Sequence, residues 1–368
     1  MARPLFVGNK DYYNMRIGIE FAKVSSGGGE RILSMLASSF AKFGHPVVIF
    51  TWNANWRNET IAFPHELCVL KQEPKWGNGL HSMRELSKAV KQYKVDCLVA
   101  FLNTSLRVYV GAARMNHIPV ITSLRVEPVF NTFMKKLMKI MIWCCDGAVF
   151  QTQTVRNTFS GRIFRNSTVI HNPIMDDNLP FVDFEKREKE IVGIGRLTEQ
   201  KNFALLVDAF AELRPQGYVL KIYGDGHLRK DLEKQIKELN VSDQVKLMGH
   251  VDRVVNHIAK AEIFVLSSDW EGMPNALMES MAMGLACVAT DVATGGCRDL
   301  ITEEENGLMV PVKDKEALKT ALNKVIEDNE LRLKLMSQAV NIQITHSKES
   351  IIPQWLSFIE SKCIKRKA

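Results

Sequence analysis

A chain of 368 residues, 46% of them hydrophobic and 24% charged, is too long for one ordinary core and points to two globular domains, or three small ones. No uncharged apolar run approaches the roughly 20 residues that span a bilayer, and the opening MARPLFVGNKDYYN lacks the apolar block of a secretion signal. The formal charge of +7 divides unevenly: residues 1–171 carry +12 and residues 172–368 carry −5, so the basicity faces whatever anionic surface the first half meets.

In chain order, residues 1–14 read as an extension ahead of the first strand-like run. The first half then alternates short apolar runs with helical patterns: RIGIEFA, ERILSMLASSFAKFG, PVVIFTW, HSMRELSKAVKQYK, DCLVAFL, PVITSL and DGAVFQT. The second half repeats the rhythm with IVGIGRL, NFALLVDAFAELR, YVLKIYG, HLRKDLEKQIKELN, QVKLMGH, EIFVLSS and ACVATDV. Strands that are apolar on both faces and separated by amphipathic helices indicate parallel sheets covered on each side. Two such sheets predict an α/β chain of two doubly wound, Rossmann-like domains, at 15–172 and 191–345. A charged, proline-containing linker at 173–190 separates them, and the final helix at 346–368 has no strand after it and is free to cross back to the first domain. Ligands of such sheets bind outside the C-terminal strand ends, which predicts a site in a cleft between facing domains. Seven scattered cysteines, an odd number without a CxxC spacing, argue against a disulfide framework and a zinc site.

Four stretches carry chemistry. In FAKVSSGGGERIL the first strand runs through Gly27, Gly28 and Gly29 into a helix, where backbone N–H groups could approach a phosphate; a plain strand-to-helix turn explains the same glycines. GIGRLTEQKN, with Gly195, sets two cations, Arg196 and Lys201, before a helix. Cations and a helix N-terminus together suit a diphosphate, and a surface ion pair to Glu199 is the alternative for either residue. YGDGHL makes a glycine turn at Gly224 and Gly226. In SSDWEGMPNALMESMAMG, Glu271 and Glu279 stand eight positions apart across a helix start at Pro274 that ends at Gly284. The amides of that first turn attract anions, and flanking carboxylates can accept hydrogen bonds from sugar hydroxyls. The plainer reading has Glu271 complementing the helix dipole and Glu279 on a solvated face. G-x-G-x-x-G is absent from both glycine loops, which weakens a nicotinamide-dehydrogenase reading.

GGGER, GRLTEQKN, YGDGHL and EGMPNALME, in this order, resemble the retaining nucleotide-sugar glycosyltransferases of the GT-B fold, in particular family 4. The resemblance runs from about Met15 to about Cys363 and includes the family's Glu-x7-Glu spacing. It implies that Arg196 and Lys201 neutralise the donor diphosphate, that Gly28, Gly29, Gly195 and Gly224 let backbone approach it, and that the amides of Asn275, Ala276 and Leu277 surround it. Glu279 would bind the ribose and Glu271 the donor sugar. No Asp-x-Asp occurs, so no metal or other cofactor is expected, and the nucleotide sugar is a co-substrate. Where relatives carry a histidine or a Ser-Glu-Arg-Asn-x-Pro run, this chain has TSLRVEP, which leaves the acceptor-side roles of Arg125 and Glu127 open.

NTFMKKLMKIMIWCC sets Lys135, Lys136 and Lys139 beside an apolar stripe. Such a helix can lie on an anionic membrane, and equally can be a core helix with a solvated edge. The expected activity is transfer from a UDP-linked hexose or N-acetylhexosamine to a growing, lipid-linked cell-surface glycan, at the inner face of the cytoplasmic membrane. Nucleic acid is not an expected partner. A nucleotide-sugar epimerase of the same architecture and a catalytically silent partner subunit are the alternatives.

Overall fold

The structure, a computed structural model, describes residues 14–20, 28–52, 66–71, 78–101, 105–124, 132–176, 178–180 and 183–367. The first sheet holds β1 (Ile17–Glu20), β2 (Val47–Thr51), β3 (Glu66–Val69), β4 (Cys97–Phe101), β5 (Val120–Leu124), β6 (Gly147–Phe150) and β7 (Ser167–Val169), in the order β3-β2-β1-β4-β5-β6-β7. Its central strands are parallel, Ile17 lying beside Val47 on one side and Cys97 on the other. The second sheet holds β8 (Glu188–Ile194), β9 (Val219–Tyr223), β10 (Val245–Gly249), β11 (Ala261–Leu266), β12 (Ala286–Thr290) and β13 (Leu308–Val310), in the order β10-β9-β8-β11-β12-β13. Every neighbouring pair in it is parallel. The two doubly wound sheets expected from the alternating pattern are therefore both present.

Helices fill the connections. The first half carries α1 (Gly28–Lys42), α2 (Gly79–Gln92), α3 (Leu106–Met115), α4 (Thr132–Trp143), α5 (Gln153–Asn157) and α6 (Gly161–Arg165). The second carries α7 (Phe203–Leu213), α8 (Arg229–Glu238), α9 (Val254–Ile258), α10 (Asn275–Ala282), α11 (Lys315–Glu327), α12 (Asn329–Ala339), α13 (Ile342–Thr345) and α14 (Lys348–Lys367). None of the described helices is long and apolar enough to cross a membrane.

Alternation along the strands divides the second core into two layers. Ile191, Ile263 and Val265 pack with Leu206, Phe210 and Leu322 on one face, while Val192, Phe264 and Leu266 pack with Leu277, Met281 and Cys287 on the other. Successive side chains of a strand point to opposite faces, so a sheet covered on both sides must be apolar throughout. The first sheet buries Val48, Phe50, Leu98 and Val120 against Leu86 and Tyr109. Each such side chain contributes about 1.5–3 kcal/mol by leaving water.

The chain separates into two compact units, residues 1–123 with 136–148 and 354–368, and residues 124–135 with 149–353. In the first, Trp355 of α14 is 1% exposed and meets Phe40 edge-on at 6.4 Å. Buried Cys97 lies against Cys363 of the same helix, a neighbour that together with burial holds its thiol well above the usual range.

Candidate active site

The β8–α7 connection begins where β8 ends. Gly224 N donates to Gly249 O at 2.8 Å, and Gly195 N to Tyr223 O at 3.0 Å, so the turn after β9 lies directly on the one after β8. A Cβ on Gly224 would stand 1.9 Å from the Gly195 carbonyl oxygen, and one on Gly226 would stand 2.3 Å from that of Leu197. The glycines of YGDGHL are thus required by backbone packing against residues 195–197. Asn202, with φ of 44°, caps α7 through Leu205 N at 3.3 Å and donates to Asp269 Oδ1 at 2.8 Å. Asp269 N donates to Gln200 O at 2.9 Å, and Gln200 Nε2 to Trp270 O at 2.9 Å. These bonds zip the cation loop to the segment that follows β11.

Along that seam Lys201 Nζ pairs with Glu271 Oε1, the side chains being 17% and 10% exposed. Ser268 Oγ donates to the same carboxylate oxygen at 2.8 Å, and Ser267 Oγ to Lys201 O at 2.9 Å. Neither cation pairs with Glu199, which instead meets His227 at 3.0 Å, and that histidine holds its carboxyl below the usual range. Arg196 is exposed, and no carboxylate among the described residues pairs with it.

Helix α10 opens on Pro274, an N-cap without a side-chain acceptor. Its first helical bond is Met278 N to Pro274 O at 3.1 Å, leaving the amides of Asn275, Ala276 and Leu277 as the open end of the helix dipole. Gly284 N donates to Met281 O and Leu285 N to Ser280 O, which closes the other end. Glu279 lies one turn after Asn275, on the same face, and is 7% exposed. The solvated-edge reading of Glu279 therefore fails. The Thr294–Gly296 loop supports the turn: Thr294 Oγ1 donates to Glu271 O at 2.5 Å, and a Cβ on Gly296 would meet Gly272 O at 2.0 Å.

Arg196, Lys201, Glu271, the α10 amides and Glu279 all lie at or just beyond the C-terminal ends of β8, β11 and their following loops, where doubly wound sheets bind ligands. Gly28 and Gly29 form the first two residues of α1, so the helix begins within the glycine run expected to be a loop. Arg125 and Glu127 lie outside the described residues. Lys136 and Lys139 are exposed on α4, and the side chain of Lys135 lies outside the described residues. Ser268, Thr294, Gln151, Thr152 and Asn172 carried no site role in the sequence, where VFQTQTVRNTF and VIHNPI resemble only the family's domain-crossing segment, because polar residues in loops carry no periodicity.

The model of glycosyl transferases group 1 matches residues 176–341, and that of glycosyltransferase family 4 matches residues 26–178. The chain is a family 4 glycosyltransferase. Its fold is GT-B and its activity glycosyl transfer. It is 28% identical over 363 residues to the Campylobacter jejuni GalNAc-alpha-(1->4)-GalNAc-alpha-(1->3)-diNAcBac-PP-undecaprenol alpha-1,4-N-acetyl-D-galactosaminyltransferase, covering 94% of this chain and 98% of that one. The amylovoran biosynthesis glycosyltransferase AmsD of Erwinia amylovora is 23% identical over 343 residues, 90% of this chain and 95% of that one. Among solved structures, Anabaena Alr3699/HepE in complex with UDP superposes with a TM-score of 0.79 at 16% identity, over 94% of this chain and 100% of that one.

Close to the site of this glycosyltransferase, Asp299 Oδ2 accepts from Gln153 N at 2.9 Å and faces His171 Nε2 at 3.3 Å, while His171 Nδ1 meets His346 Nε2 at 3.0 Å. Burial, and then the neighbouring His171, lower the His346 pKa to about 4. A base whose folded pKa lies below its unfolded value of about 6.5 contributes stability that is full above the unfolded value and fades as pH falls towards 4. Urea melts from pH 7 to 4.5 should therefore show a loss that His346→Asn reduces. Equal pH dependence in the two proteins would refute this linkage.

Proposed function

We propose that this glycosyltransferase moves a hexose or N-acetylhexosamine from a UDP-linked donor, with retention and without a metal, to a hydroxyl of a growing lipid-linked cell-surface glycan. The observation that carries the reading is the part-buried Lys201–Glu271 pair beside the uncapped start of α10. Cleaving a glycosyl–phosphate bond develops charge on the leaving diphosphate and an oxocarbenium-like sugar. Arg196, Lys201 and the amides of Asn275 to Leu277 would stabilise the former, where preorganised donors are worth most. Lys201 would turn part of its charge from Glu271 to the diphosphate, leaving the carboxylate to accept from sugar hydroxyls. Glu279 would hold the ribose. The acceptor hydroxyl would attack on the face the diphosphate leaves. Support for the substrates comes from relatives: the Campylobacter enzyme is named for N-acetylgalactosaminyl transfer to an undecaprenol-linked glycan, and HepE was solved with UDP.

The test is a thermal-shift panel of nucleoside diphosphates followed by transfer assays from UDP-sugars to undecaprenyl-diphosphate-linked saccharides, with and without EDTA. UDP at 100 times its dissociation constant should add about 2.7 kcal/mol of stability, and turnover should survive chelation with an α-configured product from an α-linked donor. No response to any nucleotide would sink the donor reading. Loss on EDTA, restored by Mg²⁺ or Mn²⁺, would sink metal independence.

The membrane part of the proposal rests on α4. Lys136, Lys139, Ile140 and Trp143 are all exposed there, the last two at 60% and 55%, and their spacing of three and four puts them on one face. Lysines with an interfacial tryptophan fit an anionic bilayer surface. Changing Lys135, Lys136 and Lys139 to Glu should release the protein from anionic vesicles while UDP binding persists. Unchanged co-sedimentation would reduce the lysines to a solvated edge.

A further inference from the structure

The dipeptide that follows β6 reaches both ends of the Glu271–Asn275 turn. Gln151 Nε2 donates to Asn172 Oδ1 at 2.8 Å, and Asn172 Nδ2 donates to Asn275 Oδ1, also at 2.8 Å. Next to it, Thr152 Oγ1 donates to Thr294 O at 2.6 Å, and Thr294 Oγ1 donates to Glu271 O at 2.5 Å. Gln151, Thr152 and Asn172 are 6%, 1% and 3% exposed. Buried hydrogen-bond chains of this kind fix one geometry, because each member's loss leaves its neighbour unsatisfied in a medium of low dielectric.

We propose that Gln151, Thr152 and Asn172 are positioning residues of the donor site, holding the Glu271–Asn275 turn at both ends so that the α10 amides stay open and the Glu271 carboxylate stays in place. The Asn172 arm acts through orientation. An asparagine side-chain oxygen readily bonds nearby backbone N–H groups. With Asn275 Oδ1 engaged by Asn172, it is withheld from the first-turn amides, which are left to an anion. Thr152 acts on the other end, through Thr294, on the backbone carbonyl of Glu271. Its hydroxyl also accepts from Val155 N at 3.2 Å as the cap of α5, so one side chain joins the start of that helix to the catalytic turn.

This inference rests on the donor site described under Proposed function. The test combines a mutant cycle with hydrogen exchange in the full chain. Asn172→Ala and Asn275→Ala should each weaken UDP binding by about tenfold, and the double variant should bind no worse than the poorer single, because both remove one contact. In the ligand-free protein, Asn172→Ala should speed exchange of the peptide covering residues 271–280 while the rest of its unit exchanges as in the parent. Thr152→Val should slow turnover, and Thr152→Ser, which keeps both hydroxyl bonds, should restore it. Parent-like UDP affinity in Asn172→Ala, or effects that multiply in the double variant, would overturn the role of Asn172. Equal turnover in the Val and Ser variants would overturn that of Thr152. If the parent itself fails to bind UDP, the donor reading falls, and the clamp then stands or falls on exchange of residues 271–280 alone.

Discussion

Replacing Lys201 with alanine is expected to lower turnover by about 10²- to 10³-fold and, unlike the same change at Arg196, to destabilise the fold. The two cations share a proposed partner but not an environment. Removing a preorganised charge that meets the leaving diphosphate costs about 2.7–4 kcal/mol in the transition state, and this applies to both. Lys201 in addition neutralises Glu271, whose side chain is 10% exposed. Without it the carboxylate keeps only Ser268 Oγ as a hydrogen-bond donor among the described residues. Breaking a fully buried pair from one side costs about 3–5 kcal/mol, because a charge is left uncompensated, and this part-buried pair should cost less than that. Arg196 is exposed and pairs with no carboxylate among the described residues, so Arg196→Ala should melt close to the parent. Adding Glu271→Gln to Lys201→Ala should return much of the lost stability and none of the turnover. Thermal melts and single-turnover rates on the parent and these three variants decide the matter. A Lys201→Ala protein that melts like the parent would show that the pair is not buried in solution, and near-normal rates in both single variants would remove the diphosphate assignment.

Gly296→Ala is expected to lower turnover by about 10²-fold and to lower the melting temperature, although Gly296 belongs to no motif that was read as chemical. Its added Cβ would sit 2.0 Å from Gly272 O and 3.1 Å from Pro274 Cδ. Neither atom belongs to a flexible side chain that could move aside. Overpacking of this kind costs about 1–3 kcal/mol or more, and the strain would be relieved by moving residues 271–274, the segment that carries Glu271 into α10. A displacement of about 1 Å in catalytic geometry can cost 10²-fold in rate. Gly161→Ala is the control, since nothing lies within 4 Å of a Cβ there and its φ of 59° confines the penalty to backbone strain. The comparison to make is of melting temperature against initial rate. Should Gly296→Ala retain parental turnover, the turn does not depend on that close approach.

The apolar runs of the sequence determined the two sheets, because strands covered on both faces must be hydrophobic throughout. That pattern is plain in EIFVLSS, where Ile263 and Val265 face one core layer and Phe264 and Leu266 the other. The short edge strands β3 and β13 were not legible, since four or three residues with mixed exposure hold too few positions to show a period. Arg196, Lys201, Glu271 and Glu279 were readable as chemistry because charged residues beside a helix start have a reason in the dipole and the anion it attracts. Their partners were decided only by the tertiary structure. Sequence offered Glu199 to the cations at a distance of two or three residues, whereas folding brought Glu271 to Lys201 across 70 positions. It also turned the glycines of YGDGHL into packing contacts with residues 195–197, and it placed Gln151, Thr152 and Asn172 behind a turn more than 100 residues away. The physical reason is common to all three. A hydrogen bond or a close backbone approach depends on distance in space, and a parallel sheet gathers the ends of strands that are far apart in the chain onto one edge.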